Sequence, residues 1–349
     1  MKKSRPLMVI LGLALYLVVI PYGWREDRYV LHVFILCSQL SIVALTVRLI
    51  FIAGELTFGQ VALVMVGAYA SALLTKKAEF SFWLALPLSG ISAALFAAVI
   101  GYPMLRLKGT YFAMLTLILA EVMRNAARAW KFVGGVQGMY KIPRPDALKI
   151  GSFTLISEFT THDRLPYYYL IATLFILTLL ALRRLDKSPL GAVFRAIKQD
   201  DAVAASIGVN VIAHRILAFT ISAFFAGLVG SFSAHYMTVF YPDTFSVWDS
   251  IYYVLYAFIG GINYLWGPVV GCFGITWLWE VLQPIAEFQM VVFAAAIISV
   301  IFFLPGGLLS LEKFFPSWKM KLGQIFHIRG RKLAAGTGTP SDTLKQKGG

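Results

Sequence analysis

Long apolar runs separated by short polar stretches fill most of this chain. A helix that crosses a bilayer needs ~20 mainly apolar residues, each rising about 1.5 Å. Ten segments approach that length: 7–22, 30–52, 56–75, 82–105, 109–123, 166–182, 214–238, 250–263, 267–283 and 288–308. The pattern predicts an all-α polytopic membrane protein of about ten transmembrane helices. Segments 109–123 and 250–263 are short, and a straight crossing is not required of them. Residues 1–310 are expected to form one transmembrane domain, with 311–349 as a basic, disordered tail.

One stretch breaks the pattern. Residues 188–210, SPLGAVFRAIKQDDAVAASIGVN, are polar, capped and amphipathic. Ser188 can cap a helix, and Pro189 suits its first position, where the amide is unpaired in any case. Leu190, Val193, Phe194 and Ile197 recur at i, i+3, i+4 and i+7, an apolar stripe. Asp200 or Asp201 can cap a second short helix, and Gly208 suits its end. Two water-side helices are therefore predicted to meet at a turn, their stripe covering the protein's own helices, lipid headgroups or a partner's groove.

Composition supports the membrane reading. The chain has 349 residues, 59% hydrophobic and 14% charged, with a mean hydropathy of +0.75. Soluble domains carry roughly 45–50% apolar and about 25% charged residues. The net charge of +14 comes without a nucleic-acid recognition motif, so no nucleic-acid partner is expected. Retention of basic loops at the cytoplasmic face, with attraction to anionic lipid, accounts for it. Lys2, Lys3 and Arg5 place the N-terminus inside, and ten spans return the C-terminus there. Loop 183–213 falls inside too, with Arg183, Arg184, Lys187, Arg195 and Lys198. Loop 124–165 falls outside despite Arg124, Arg128, Lys131, Lys141, Arg144, Lys149 and Arg164. The N-terminus has a basic start and an apolar core but no small-residue cleavage site, which predicts an uncleaved first span.

Catalytic signatures are missing. There is no G-x-x-x-x-G-K-[ST] for ATP and no H-E-x-x-H; the five histidines are scattered, and the two cysteines, Cys37 and Cys272, sit in apolar runs. No metal, cofactor or enzymatic activity is expected. Ionisable groups inside spans are costly and often functional. Glu121 is the central candidate; Glu55, Arg48 and Glu280 lie near predicted interfaces, within reach of headgroups. Glycine breaks recur: Gly54, Gly59 and Gly67 in GELTFGQVALVMVGAYASALL, and Gly260-Gly261 before Gly267-Pro268 in AFIGGINYLWGPVVG. Such breaks read either as close helix packing or as backbone lining a pathway. GGVQGMYKIPRP, 134–145, is turn chemistry in a loop that covers a pathway mouth or simply connects. The candidate pathway residues are Gly54, Thr57, Gly59, Gly67, Tyr69, Thr110, Tyr111, Glu121, Gly260 and Gly261.

Six ordered blocks carry a family resemblance across residues 30–308: GELTFGQVALVMVGAYASALL, GTYFAMLTLILAEVMRN, GGVQGMYKIPRP, SPLGAVFRAIKQDDAVAASIGVNV, AFTISAFFAGLVGSF and FIGGINYLWGPVVG. Together they resemble the LivM-like permease subunits of ABC importers for branched-chain amino acids. Thr57, Phe58 and Gln60 stand where family members often have Ser, Leu and His, and Asp200-Asp201 replaces a more usual Asp-Glu. The resemblance implies the permease fold of ABC importers, with no ATPase site of its own. ATP would be bound by cytoplasmic ABC ATPase subunits, beside a second, LivH-like permease and a periplasmic or extracellular substrate-binding protein. Residues 188–210 would be the coupling element. Gly191 would permit close approach, Phe194 and Ile197 would fill the ATPase groove, and Arg195 would pair with its acids. Importers of urea or short amides use similar permeases. A secondary transporter would instead need an ion site at broken helices, for which Glu121 and the 260–268 break are the candidates.

Overall fold

In a computed structural model, residues 27–150, 153–156, 159 and 163–283 are described, with residue 23, residues 307–310 and a few isolated positions between 288 and 302. The expected span 7–22 and the tail 311–349 lie outside the described residues, and so does about half of the expected span 288–308.

The described chain is helical. Helix α1 runs Arg28–Ile52, α2 Gln60–Lys76, α3 Phe82–Met104, α4 Thr110–Ala129 and α5 Leu165–Lys187. Two short helices follow, α6 Pro189–Gln199 and α7 Asp201–Ser206, then α8 Val211–Met237, α9 Val247–Gly260 and α10 Gly267–Val281. Helices α1, α3, α5 and α8 are each long and apolar enough to cross a membrane, and α2 is a shorter apolar helix. The architecture is that of an all-α polytopic membrane protein. One small exception lies in the loop after α4, where β1 Leu148–Ile150 pairs antiparallel with β2 Phe153–Ile156.

Helix α8 is the axis. It packs along α2 and α3 and also touches α1 and α5. In a bilayer no hydrophobic force draws helices together, so small residues that allow backbone approach must do that work. Here Gly227 faces Ser89, Gly90 and Ala93 of α3, while Gly230 faces Val64 and Ala68 of α2. Helix α1 is apolar all round and buried along most of its length, as expected of an interior helix. Helix α3 instead exposes Leu84, Leu88, Ile91, Leu95 and Val99 on one face, a surface suited to hydrocarbon.

Of the two short segments, one differs from expectation. The 109–123 segment is part of a continuous 20-residue helix, α4, about 30 Å long. Its last turns are amphipathic, which hid them from a hydropathy reading. Arg124 and Arg128, two of the basic residues that offended the charge rule, are held in ion pairs with Asp243. The 250–263 segment is short as expected: α9 has 14 residues, about 21 Å.

The 56–75 segment is a broken helix. Residues 53–59 are not helical, and α2 begins only at Gln60. That start lies inside the protein, where Gln60 Nε2 donates to Ser222 Oγ at 2.8 Å. Ser222 sits about 16 Å along α8 from Val211. Backbone so placed must find partners within the protein. Phe58 N–H donates to Thr116 Oγ1, Gly59 N–H to Thr57 Oγ1, and Val61 N–H to Ser250 Oγ of α9.

Candidate functional site

The predicted water-side pair exists as an elbow between α5 and α8. Ser188 Oγ accepts from Gly191 N–H at 3.4 Å and opens α6 behind Pro189. Asp200 Oδ1 accepts from Ala202 and Val203 N–H at 2.9 and 3.1 Å and caps α7. Gly208 follows with φ of 89°, the left-handed conformation that lets a helix end turn away.

Phe194 and Ile197 of the stripe on α6 point inward. They are 1% and 2% exposed, so they cannot fill a partner's groove as expected: the chain's own helix ends cover them. Gly191 is also spoken for. A Cβ there would collide with the carbonyl oxygens of Leu185 and Asp186, so the glycine serves the tight α5–α6 turn rather than approach of a partner. The outward surface of the elbow carries Leu190, Arg195, Val203 and Ile207, all exposed, with Val193 half-buried between the two faces. Arg195 Nη1 donates to the Asp186 carbonyl at 2.8 Å, which fixes the base of an otherwise free guanidinium.

Charged contacts bind the elbow to four other helix ends. Arg48 near the end of α1 pairs at 2.8 Å with Asp186 in the last turn of α5, just before the elbow. Lys198 of α6 donates to Asn263 Oδ1 in the α9–α10 turn at 3.0 Å and lies 3.8 Å over the Phe51 ring. Asp201 of α7 meets Lys108, just before α4, at 2.6 Å and Arg215 of α8 at 3.5 Å. Arg215 in turn pairs with Glu55 at 3.0 Å, and Glu55 accepts from Gly109 N–H at 2.9 Å. Arg48 and Glu55, expected to reach headgroups, are instead 4% and 2% exposed; each is paired inside the protein, with Asp186 and Arg215. Burial pushes the Glu55 carboxyl up, opposed by Arg215. The hydrogen bond from Lys108 holds Asp201 below the usual carboxylate range. Burial, with Arg48 nearby, lowers the Lys198 ammonium.

The proposed pathway residues do not share one place. Gly54, with φ of 94°, sits against Lys198 and Arg215 beside the elbow. Thr57 is fully buried in the break before α2, and Gly59 packs on Thr116 of α4. Gly67 lies in the α2–α8 crossing, where a Cβ would overlap the Gly227 carbonyl. That position is helix packing, with no room for a solute. Gly260 and Gly261 form the predicted hairpin: Gly261 has φ of 110°, and Gly260 and Gly267 abut so closely that neither tolerates a Cβ. Thr110 and Tyr111 are exposed at the start of α4. Glu121 is not an isolated central acid. It pairs with Arg124 toward the end of α4 remote from the elbow, and Asn125 also donates to it. Glu280 likewise accepts from the Tyr29 hydroxyl at the start of α1.

Tyr69 packs behind the wall of a cavity. It stacks edge-on against Phe240, with centroids 4.9 Å apart, and tilts against Phe245. Both phenylalanines line a cavity of about 220 Å³ between α1, α2, α8 and α9. Two polar residues in its wall, Gln39 and Asp249, were passed over in the sequence. A lone glutamine within an apolar run and an acid just before another were the available signals. The GGVQGMYKIPRP loop covers this end of the molecule. Met139 and Phe240 bridge backbone to backbone, and Ile142 N–H donates to the Thr238 carbonyl at 3.1 Å.

Comparison with known proteins gives the arrangement its context. Residues 29–303 match the family described as branched-chain amino acid transport system / permease component. Two relatives are the high-affinity branched-chain amino acid transport system permease proteins LivM of Salmonella typhimurium and Escherichia coli. Each is 28% identical, across 78% of this chain and 67% of the relative. No solved structure matches. A bundle of apolar helices around a broken α2, an elbow pinned to its helix ends and this match over most of the length lead to one assignment: the chain belongs to the permease component family of branched-chain amino acid transport systems.

Proposed function

We propose that this chain is the membrane-spanning permease of an ATP-driven importer of branched-chain amino acids, moving its cargo by alternating access. It sits in the bacterial inner membrane with both termini in the cytoplasm, and ATP is bound and hydrolysed on separate subunits. A second, LivH-like permease and a substrate-binding protein on the far side complete the machine.

The observation that carries this reading is the two-faced elbow. Its inner face is joined by Lys198–Phe51, Lys198–Asn263 and the Asp201–Lys108–Arg215–Glu55 cluster to the ends of α1, α4, α8 and the α9–α10 turn, and Asp186–Arg48 ties the last turn of α5, which leads into it, to α1. Its outer face offers Leu190, Arg195, Val203 and Ile207. A partner that pushes on the outer face therefore moves several helix ends together. Such a partner shifts a two-state domain only by binding one state better than the other. Glu55 is the most telling link, because it lies in the break before α2, so elbow movement reaches the interior.

The test uses vesicles containing the assembled transporter. With ATP inside, labelled leucine accumulates and labelled urea does not. Arg195→Glu and Val203→Asp, both on the outer face, leave the chain inserted but lower leucine uptake by at least ~tenfold, the effect of losing a contact worth about 1.4 kcal/mol. Unchanged uptake in both variants rules out docking at this face. Accumulation of urea in place of leucine points to the short-amide cargo instead.

A further inference from the structure

The cavity between α1, α2, α8 and α9 has the makings of a ligand site that the elbow does not explain. Its volume of about 220 Å³ exceeds the ~150 Å³ that holds a benzene-sized molecule in a protein interior. Its lining includes the aliphatic side chains of Leu36, Leu40, Val43, Val64 and Val229. It also includes the polar Gln39, Ser233, Thr244 and Asp249. Gln39 is 7% exposed, and its Nε2 has no hydrogen-bond partner. A buried amide donor left unpaired costs about 1–3 kcal/mol, a penalty that a ligand's acceptor would remove. Asp249 has Oδ2 engaged by Ser246 N–H at 3.0 Å, while no ion pair satisfies its charge among the described residues.

A wall of branched aliphatic side chains, an unsatisfied donor and an uncompensated carboxylate together match one chemical class. We propose that this cavity is a transit site for a small branched aliphatic amino acid. Asp249 takes the ammonium, Gln39 donates to the carboxylate, and the aliphatic wall takes the side chain. This rests on the cargo reading above and adds to it a place within this chain where the cargo pauses. Phe240, anchored through Met139 to the covering loop, is the cavity wall that the loop controls. Opening that strap would admit the ligand without disturbing the elbow.

Thiol protection tests the site directly. The native Cys37 and Cys272 are both 0% exposed, so a cysteine placed at Ser233 is the reactive one. In vesicles with the assembled transporter, leucine slows modification of Ser233→Cys by a small thiol reagent. 4-Methylpentanoate, which lacks the ammonium, protects far less. Adding Asp249→Asn or Gln39→Leu removes the protection by leucine. The same two substitutions, in the chain without added cysteine, lower leucine uptake by at least ~tenfold, as expected when a charged ligand group loses its partner. Should Ser233→Cys fail to fold, Met237→Cys, also on the cavity wall, reports in its place. Leucine uptake with no protection at either cysteine overturns the transit site while leaving the cargo reading intact. Equal protection by leucine and 4-methylpentanoate overturns the role of Asp249 and makes this an apolar void. Absence of leucine uptake by the unaltered transporter overturns the cargo reading and this site with it.

Discussion

Replacing Arg215 with methionine destabilises the folded chain by about 3–5 kcal/mol, the usual result of stripping one partner from a buried ion pair. The side chains of Arg215 and Glu55 are 6% and 1% exposed, and they meet at 3.0 Å. Methionine fills similar space but takes away the ion-pair partner of Glu55, leaving Lys108, which is paired with Asp201, as the cation of the cluster. Part of the cost is relieved if Glu55 takes up a proton, the direction in which burial already pushes it. Glu55→Gln is milder. Arg215 keeps Asp201 at 3.5 Å, and the amide oxygen still accepts from Gly109 N–H. The double variant Glu55→Met with Arg215→Met recovers much of the loss, since a dry apolar pair replaces a charged one. Thermal unfolding in detergent of the parent, Glu55→Met, Arg215→Met and the double variant closes the cycle that isolates the coupling between the two residues, with Glu55→Gln measured beside them. Equal midpoints for Arg215→Met and the parent would mean that the cluster does not hold the elbow. Transport should suffer in the same order, because the cluster is the link between α7 and the break before α2.

That link shows where sequence reasoning reaches its limit. The elbow was legible because its signals are local: Ser188 before Pro189, Asp200 three residues from Val203, and a 3.6-residue period of Leu190, Val193, Phe194 and Ile197. Periodicity says that Phe194 and Ile197 are covered, but it cannot say by what. The cover is the chain's own helix ends, more than a hundred residues away along the sequence in the case of α1. Arg48, Glu55 and Arg215 raise the same difficulty. Each reads alone as a charge near an interface, and only the fold shows that Glu55 and Arg215, 160 positions apart, neutralise one another. Glu121 misled for the opposite reason. Its partner Arg124 is three residues away, but the hydropathy boundary at 123 cut the pair in two. The spans α1, α3, α5 and α8 were legible because length and hydropathy alone define them. The cavity was not, because Gln39 and Asp249 come from different helices.

Glycine gives the second large effect, and it separates two roles that look alike in sequence. Gly67→Leu should abolish recovery of folded protein. A Cβ at Gly67 overlaps the Gly227 backbone, with its Cα and carbonyl both in the way. The obstruction is main chain on a rigid helix, so no side-chain rotation relieves it. Moving α2 off α8 to make room would also pull Val64 from Gly230 and loosen Gly227 against Ala93, since the three contacts share one helix. The cost therefore exceeds the ~1–3 kcal/mol typical of overpacking a core that can adjust. Gly208→Ala is the control. Nothing lies within 4 Å of a Cβ there, and only the φ of 89° resists it, a strain of about 1–2 kcal/mol. Folded yield by size exclusion in detergent should fall to background for Gly67→Leu and stay near the parent for Gly208→Ala. The reverse order would show that α2 and α8 are not in backbone contact, and the placement of the cavity beside them would fall with it.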